Sequence, residues 1–321
     1  AEIGTDGRTG RTRHHRGDQA MNRREQGFAL ILVIWALVLL SSLAGGFAYA
    51  VRHEIRVAGD MEAIVRAEAI ATAVLNTAVL ALSNTDPEQR WQVDSQTHLI
   101  PWPGASSTVT VRSESGRIDI NRAPQKLLAG LFSQLVTDTD PEALADAIID
   151  WRDSDNRPRP AGAELNAYIQ AGYRYGPSNN PFNSVNELSQ VIGFDSGMLD
   201  TARDYLTVYS RQPRVNASSA DLVVLAAVPG IDRDKAVAFI AHREQVLADG
   251  GALDYTPLGT GRRYLDTRPG GKYLSLDIEV VLDEGLKRRE HAVIQLDRKR
   301  GYRLLAREMR PVGMAPGAKT Q

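Results

Sequence analysis

Met21-Asn-Arg-Arg-Glu-Gln-Gly27, followed by Phe28-Ala-Leu-Ile-Leu-Val-Ile-Trp-Ala-Leu-Val-Leu-Leu-Ser-Ser-Leu-Ala-Gly-Gly-Phe-Ala-Tyr-Ala-Val51, is the stretch on which the fold turns. The 24 residues from Phe28 to Val51 carry no charge and are mostly apolar. A run of about 18 or more such residues crosses a bilayer as a helix, and this one spans it with some tilt. Arg23 and Arg24 precede it, so the positive-inside rule predicts a cytoplasmic N-terminus with the chain after Val51 outside. The ending Ala48-Tyr49-Ala50 also fits a secretory signal cut after Ala50. The length of the apolar core, the helical pattern continuing beyond it and the Gly27–Phe28 junction ahead of it favour a retained anchor.

The helical pattern does not stop at the bilayer. From Glu54 to Leu82 there is no Pro, one Gly and much Ala, the strongest helix former. Val57, Met61, Ile64, Ala67, Ala71, Val74, Ala78 and Leu82 recur at spacings of three and four, which is one helical stripe. Asn84-Thr85-Asp86-Pro87 ends it. One helix from Phe28 to Ser83 is on the order of 80 Å long at about 1.5 Å per residue. Its first half belongs in lipid and its second against a globular domain. In the other direction, residues 1–20 hold almost no large apolar residue and cannot build a core. They are expected to be a non-native or disordered extension, with Met21 the start.

After the helix the pattern changes. Thr108-Val-Thr-Val-Arg112 alternates and is β-branched, so residues 91–120 read as strands. Helical signals follow at Gln125–Leu135, after Pro124, and from Asp140-Pro141-Glu142 to about Trp151. Residues 152–184 read as irregular. Helical patterns resume at 185–190, 196–205, 219–227 and 232–247, and 250–271 is a loop. Tyr273–Leu282, Arg289–Asp297 and Tyr302–Met309 are strand-like, and the tail from Pro311 is expected to be disordered. Two strands at the front would be too few to stand alone, so the helices are best read as an insertion between strands of one sheet.

Within the helical block Leu188-Ser-Gln-Val-Ile-Gly193-Phe-Asp195 matches Leu225-Ala-Ala-Val-Pro-Gly230-Ile-Asp232. A second echo pairs Ile120-Asn121-x-Ala123 with Val215-Asn216-x-Ser218. Gly193 and Gly230 mark the turns of helical hairpins. A hairpin of this kind can hold a DNA phosphate on backbone N–H groups at a helix N-terminus. Here Asp232 and Asp234 stand where that phosphate would sit. Arg214, Arg233, Lys235 and Arg243 are matched by Asp221, Asp232, Asp234 and Glu244, whereas a DNA-binding face is basic. Packing is the better use of these hairpins, and no nucleic-acid partner is expected.

Asp146, Asp150 and Asp153 recur at i, i+4 and i+7, with Asp155 and Glu164 in the loop beyond. Crowded oxygen ligands suit a hard cation such as Ca²⁺. Counting Asp153 as position 1 puts Asp155 at 3 and Glu164 at 12, the length of an EF-hand loop. Arg157 and Pro158 occupy positions 5 and 6, where that motif needs a ligand and a Gly, so the loop is not an EF-hand. The same carboxylates also fit a solvated acidic face paired with Arg152, Arg157 and Arg159. With no cysteine in the chain, a metal would be one way to pin so long a loop.

Composition closes off other classes. A net charge of −1 gives no field for polyanions, and the absence of Cys excludes disulfides and thiolate chemistry. The six His fall in no metal-ligand spacing, Gly-x-Ser-x-Gly is absent, and Gly259-Thr-Gly261 is an isolated turn signal. The chain reads as a non-enzyme. A membrane-anchored DNA-binding protein using the hairpin is the alternative, and an anchored hydrolase using the carboxylates a third reading.

The leader ending Gly27–Phe28, with its long apolar helix, resembles a type IV pilin-like signal, in which a prepilin peptidase cuts after the Gly and methylates the new N-terminal Phe. Most members carry Glu at the fifth mature position, where this chain has Leu32. That departure is itself a signature of the minor pseudopilin K family of type II secretion. Gly116-Arg-Ile-Asp-Ile-Asn-Arg-Ala-Pro124, Ala147-Ile-Ile-Asp-Trp-Arg-Asp-Ser-Asp155, Gly162-Ala-Glu164 and Pro181-Phe-Asn-Ser-Val-Asn-Glu-Leu188 are similar to that family's runs, in its order.

The resemblance implies an α+β fold. A long N-terminal transmembrane/amphipathic helix would pack on an antiparallel pseudopilin sheet carrying a large inserted all-α, helix-hairpin-helix or SAM-like domain. It divides the chain into the extension 1–20, a prepilin-type leader 21–27, the transmembrane part 28–51, the periplasmic helix and first strands 52–120, the inserted domain 121–250, the C-terminal strands 251–310 and a tail 311–321. It implies a structural subunit at the tip of the periplasmic pseudopilus, anchored once in the bacterial inner membrane. Expected partners are minor pseudopilins I and J, then H and the major pseudopilin G, with prepilin peptidase, membrane lipid, and the secretin or secreted substrates. It also implies structural Ca²⁺, carried here to Asp150, Asp153, Asp155 and Glu164. A subunit with no neighbour above it avoids the cost of an unpaired carboxylate in lipid by having Leu32.

Overall fold

The computed structural model describes residues 22–93, 95–249, 251–268, 271–297 and 301–310. The expected extension and tail lie outside the described residues. The chain divides into two compact units, one ending at Ile64 and the other beginning at Val65. Helix α1 runs Asn22–Leu82, so both units contain part of it.

In the first unit, the described side chains from Leu30 onward are mostly exposed, including Leu32, Trp35 and Phe47. This helix is long and apolar enough to cross a membrane. An apolar surface left uncovered over this length has lipid as its natural solvent. Gly27 and Phe28 fall within the helical backbone. The stripe read from the sequence divides: Val57, Met61 and Ile64 are exposed, whereas Ala67, Ala71, Val74, Ala78 and Leu82 are buried.

In the second unit, that buried face lies against a five-stranded antiparallel sheet of order β1-β2-β7-β8-β9. The strands are β1 (Thr97–Trp102), β2 (Ala105–Ser113), β7 (Tyr273–Leu282), β8 (Lys287–Asp297) and β9 (Gly301–Arg310). Val109, Val111, Leu276, Ile278, Ala292 and Ile294 share one sheet face by register and are buried. A polar clamp ties helix to sheet. Glu290, 2 % exposed, accepts from Arg288 Nε at 2.5 Å and Arg307 Nε at 2.7 Å. Arg288 reaches Glu68 at 3.5 Å, and Arg307 donates to Thr72 Oγ1 at 3.0 Å. Tyr302 Oη donates to Asn76 Oδ1 at 2.9 Å.

The insertion leaves and re-enters through neighbouring strands, since Ser113 of β2 pairs with Leu274 of β7. Between them come β3 (Ile118–Asp119), α2 (Gln125–Leu135), α3 (Pro141–Arg152), α4 (Leu165–Gln170), a 3₁₀ turn (Val185–Gln190), α5 (Ser196–Ala202) and β4 (Leu206–Thr207). Then follow β5 (Val215–Asn216), α6 (Leu222–Ala226), α7 (Arg233–Ala248), a 3₁₀ segment (Thr256–Tyr264) and β6 (Leu265–Asp266). The block has its own core, around Leu127, Phe132, Ile148, Tyr168 and Leu225.

The sequence reading missed the two short parallel pairs, β3 with β4 and β5 with β6. Two residues are too short a run for alternation to register. Helix α4 and the 3₁₀ segment at 256–264 lie inside stretches expected to be loops, because Gly and Pro dominate their flanks.

Where the insertion meets the sheet, Arg117 donates to Glu114 Oε1 at 2.9 Å and Thr207 Oγ1 to Glu114 Oε2. On the sheet face away from α1, Asp277 meets Arg112 at 2.5 Å, His291 Nδ1 at 2.7 Å and Arg310 at 3.5 Å. Arg310 also reaches Asp204 of the insertion at 3.5 Å. Burial pushes the Asp277 carboxyl up, but the His291 hydrogen bond and charge, with Arg310 and Arg112, outweigh it and hold it well below the usual range.

Candidate metal centre

Helix α3 carries the start of the acidic site. Asp140 caps it, accepting from Glu142 N at 2.9 Å, and Pro141 opens its first turn. Ala145, Ile148 and Ile149 turn into the core, and Trp151 stacks on Phe182 with ring centroids 6.0 Å apart. The helix ends at Arg152 with Asp153 as C-cap. Asp153 therefore does not continue the helical face of Asp146 and Asp150, as the i, i+7 spacing alone would have it. It turns off the helix into the loop.

That turn brings the loop carboxylates together. Oxygens of Asp153, Asp155 and Glu164 all lie within 4.8 Å of one another. Positions 1, 3 and 12 of the loop thus converge despite Arg157 and Pro158. Glu164 is 7 % exposed, and neither of its carboxylate oxygens has a hydrogen-bond partner among the described residues. Asp153 Oδ1 is likewise buried and unpartnered. Burial and the surrounding negative charge push the carboxyls of Asp153 and Glu164 up from their ordinary values. An unmet buried carboxylate is costly, and three oxygen donors around one point can coordinate a hard cation.

Asp150 has a different place. It is fully buried, its carboxyl pushed up chiefly by burial, and it accepts from Arg159 N at 3.1 Å. Asp146 accepts from Arg159 Nε at 3.1 Å and Ala161 N at 3.2 Å. These two helix carboxylates hold the loop backbone behind the three-oxygen cluster. Gly162 is required there: a Cβ on it would come 2.0 Å from Asp150 Oδ2. The sequence reading grouped Asp150 with the ligands and treated Arg159 as a generic counter-ion. No sequence signal distinguishes a carboxylate that holds a loop backbone from one whose oxygens stay without a partner.

The hairpin glycines have a clear role. Gly193 and Gly230 adopt φ of 89° and 91°, the left-handed region that side chains disfavour. In each Leu-x-x-Val-x-Gly-x-Asp run, Leu and Val enter the core and Gly makes the turn. Each Asp then caps the next helix: Asp195 accepts from Met198 N at 2.7 Å and Asp232 from Lys235 N at 2.9 Å. The acceptor place at these helix starts is therefore filled by the chain's own carboxylate. Thr260 Oγ1 also lies 2.6 Å from where a Gly230 Cβ would stand, so the second turn is packed against the 3₁₀ segment.

A long helix whose second part packs on an antiparallel sheet, with helices inserted between two of the strands, defines the class of fold. Residues 109–211 match the family model for type II secretion system (T2SS), protein K. The type II secretion system protein K of Klebsiella pneumoniae is 25 % identical over 230 residues, covering 64 % of this chain and 71 % of that protein. That of Pectobacterium carotovorum subsp. carotovorum is 26 % identical over 171 residues, 49 % of this chain and 52 % of that one. The crystal structure of the GspK-GspI-GspJ complex from the enterotoxigenic Escherichia coli type 2 secretion system contains a chain of the same fold. The TM-score is 0.56 at 19 % identity, covering 81 % of this chain and 99 % of that one. The chain is homologous to the protein K family of the type II secretion system.

Proposed function

We propose that this chain is a minor pseudopilin, a structural, non-catalytic subunit of the type II secretion pseudopilus that helps initiate and cap the filament. The observation that carries this is the helical block inserted between β2 and β7 of a pilin-like sheet, in a chain homologous to protein K. Helix α1 anchors it once in the bacterial inner membrane, N-terminus cytoplasmic, with the second unit in the periplasm. Prepilin peptidase cuts between Gly27 and Phe28, and Leu32 suits a subunit with no neighbour above it. The boundaries 28–51, 52–120, 121–250 and 251–310 mark its parts, and the inserted block is of helix-hairpin-helix or SAM-like type.

The solved GspK-GspI-GspJ complex supports minor pseudopilins I and J as direct partners. H and the major pseudopilin G lie below them, and the secretin or secreted substrates are met at the tip. Asp153, Asp155 and Glu164 bind Ca²⁺, with Asp150 behind them fixing the loop; the unpartnered oxygens of Glu164 support this.

The test is intact mass and N-terminal sequencing of the membrane form, joined to co-purification with pseudopilins I and J. A methylated chain starting at Phe28 that carries I and J along is expected. A chain starting at Val51, or salt-sensitive DNA binding in place of pseudopilin binding, would overturn the assignment.

A further inference from the structure

Beside the metal centre a cleft of about 480 Å³ opens where β3, the end of α3 and the segment after β4 meet. Arg122, Arg152 and Arg211 line it, and the Arg211 guanidinium carbon lies 5.8 Å over the Tyr273 ring. None of them forms an ion pair within 4.0 Å among the described residues. Arg152 is held in place, donating to the carbonyls of Ile120 and, at 2.7 Å, Ala123.

Of the two carboxylates on the cleft wall, Asp119 is engaged by hydrogen bonds, and Asp153 keeps one oxygen without a partner among the described residues. Asp119 accepts from Asn121 N at 2.9 Å, Arg211 N at 2.7 Å and Ser210 Oγ at 3.1 Å. Asp153 belongs to the three-oxygen cluster. The lining residues are thus three cations and two carboxylates, with three neutral residues.

We infer that this cleft binds a carboxylate of an acidic peptide segment from another protein. A planar guanidinium fork matches a carboxylate, and the exposed Arg122 and Arg211 can supply one, while Arg152, fixed on two carbonyls, adds its charge. Pro181 and Val208 supply apolar wall for the aliphatic part of an Asp or Glu side chain. The volume lies in the range of small-ligand sites, about 300–1,000 Å³, which admits a few residues of chain. The cations converge on one cleft and are not strung along a face, as a nucleic-acid backbone requires. The assignment does not need the pseudopilin reading.

Calorimetric titration of the full chain in detergent micelles with EDTA tests it. The probes are a blocked Asp/Glu peptide, its Asn/Gln counterpart and inorganic phosphate. Binding of the acidic peptide alone is expected. The double variant Arg122→Gln, Arg211→Gln, at two exposed side chains, should weaken binding about tenfold or more. Circular dichroism verifies that the variant folds. If it does not, the acidic-versus-amide comparison on the parent chain still decides. No binding, equal binding of the amide peptide, phosphate binding as tightly as the acidic peptide, or an undiminished folded variant would each overturn the inference.

Discussion

Glu164→Gln should change stability in opposite directions with and without calcium. In EDTA the parent chain keeps a buried carboxylate with no partner, its oxygen within 4.8 Å of two other carboxylate oxygens. Two unit charges about 5 Å apart repel by roughly 3 kcal/mol at an effective dielectric near 20. Asp155 is exposed, and water there screens the repulsion, leaving a net relief of about 1–2 kcal/mol when the charge is removed. The orphaned amide that replaces it costs less to bury than an orphaned carboxylate. No helix cap is lost, because the Glu164 side chain makes no capping bond to α4. The variant should therefore melt a few degrees higher than the parent in EDTA, at about 2–4 °C per kcal/mol for a domain of this size. With calcium at about a hundred times its dissociation constant, the parent gains about 2.7 kcal/mol and the variant little, so the order inverts. Thermal melts of the chain in detergent, followed by near-UV circular dichroism, measure both arms. A variant destabilised equally in both conditions would show a structural carboxylate, and an equal calcium gain in both chains would remove Glu164 from the ligand set.

Gly230→Ala forces a Cβ into the left-handed region and to 2.6 Å from Thr260 Oγ1, and should cost about 1–3 kcal/mol by chemical denaturation. Gly59→Ala, with open space around it, should cost nothing measurable. Glu290→Ala removes the buried partner that Arg288 and Arg307 share, leaving them Glu68 and Thr72, and should lower stability by up to about 3 kcal/mol. Asp200→Ala, which breaks only the half-exposed pair with Arg203, should cost no more than about 1 kcal/mol in the same assay. For Asp277 the folded-state pKa lies below the unfolded value of about 4, so the unfolded chain binds more protons on acidification. Its stabilisation is present above about pH 4 and is lost as pH falls through the depressed folded value. Asp277→Asn should lower stability at neutral pH and flatten that acid-side decline in a pH series of denaturation midpoints.

The parts of the fold that were legible in the sequence are those with a period or a fixed chemical cue. The apolar run, the Ala-rich stripe, the alternation of Thr108–Arg112 and the Asp-Pro start of α3 each encode their element over several residues. Insertion of the helices followed from counting strands, and the pairing of Ser113 with Leu274 bears it out. Features made by distant residues were not legible. The two-residue parallel pairs draw their stability from surroundings more than 40 residues away. The division of the acidic cluster, Asp146 and Asp150 holding backbone while Asp153, Asp155 and Glu164 converge, depends on where α3 ends. A helix one turn longer would have put Asp153 on the face of Asp146 and Asp150.

The internal echoes also acquire a physical meaning. Asn121 and Asn216 stand just after and at the end of the short strands β3 and β5, and each clamps a distant carbonyl. Asn121 Nδ2 donates to Phe182 O at 2.8 Å, and Asn216 Nδ2 to Arg268 O at 2.6 Å. An arginine on the second helix of each unit then closes on the backbone after the strand. Arg152 holds the carbonyls of Ile120 and Ala123, and Arg243 those of Ala217 and Ala220, at 3.0 and 2.8 Å. Burial lowers the pKa of both guanidiniums, to about 10 for Arg152. The block is thus two variations on one packing unit, a strand, a helical hairpin and a returning parallel strand. They differ in how the return is made. After α7 a short 3₁₀ segment leads back to β6. After α3 the acidic loop, α4, a 3₁₀ turn and α5 intervene before β4, and oxygens of Asp153 and Glu164 in that return have no hydrogen-bond partner among the described residues. The second unit closes instead through the 3₁₀ segment, whose Thr260 packs on its hairpin turn at Gly230, and the three-oxygen cluster belongs to the first unit alone among the described residues.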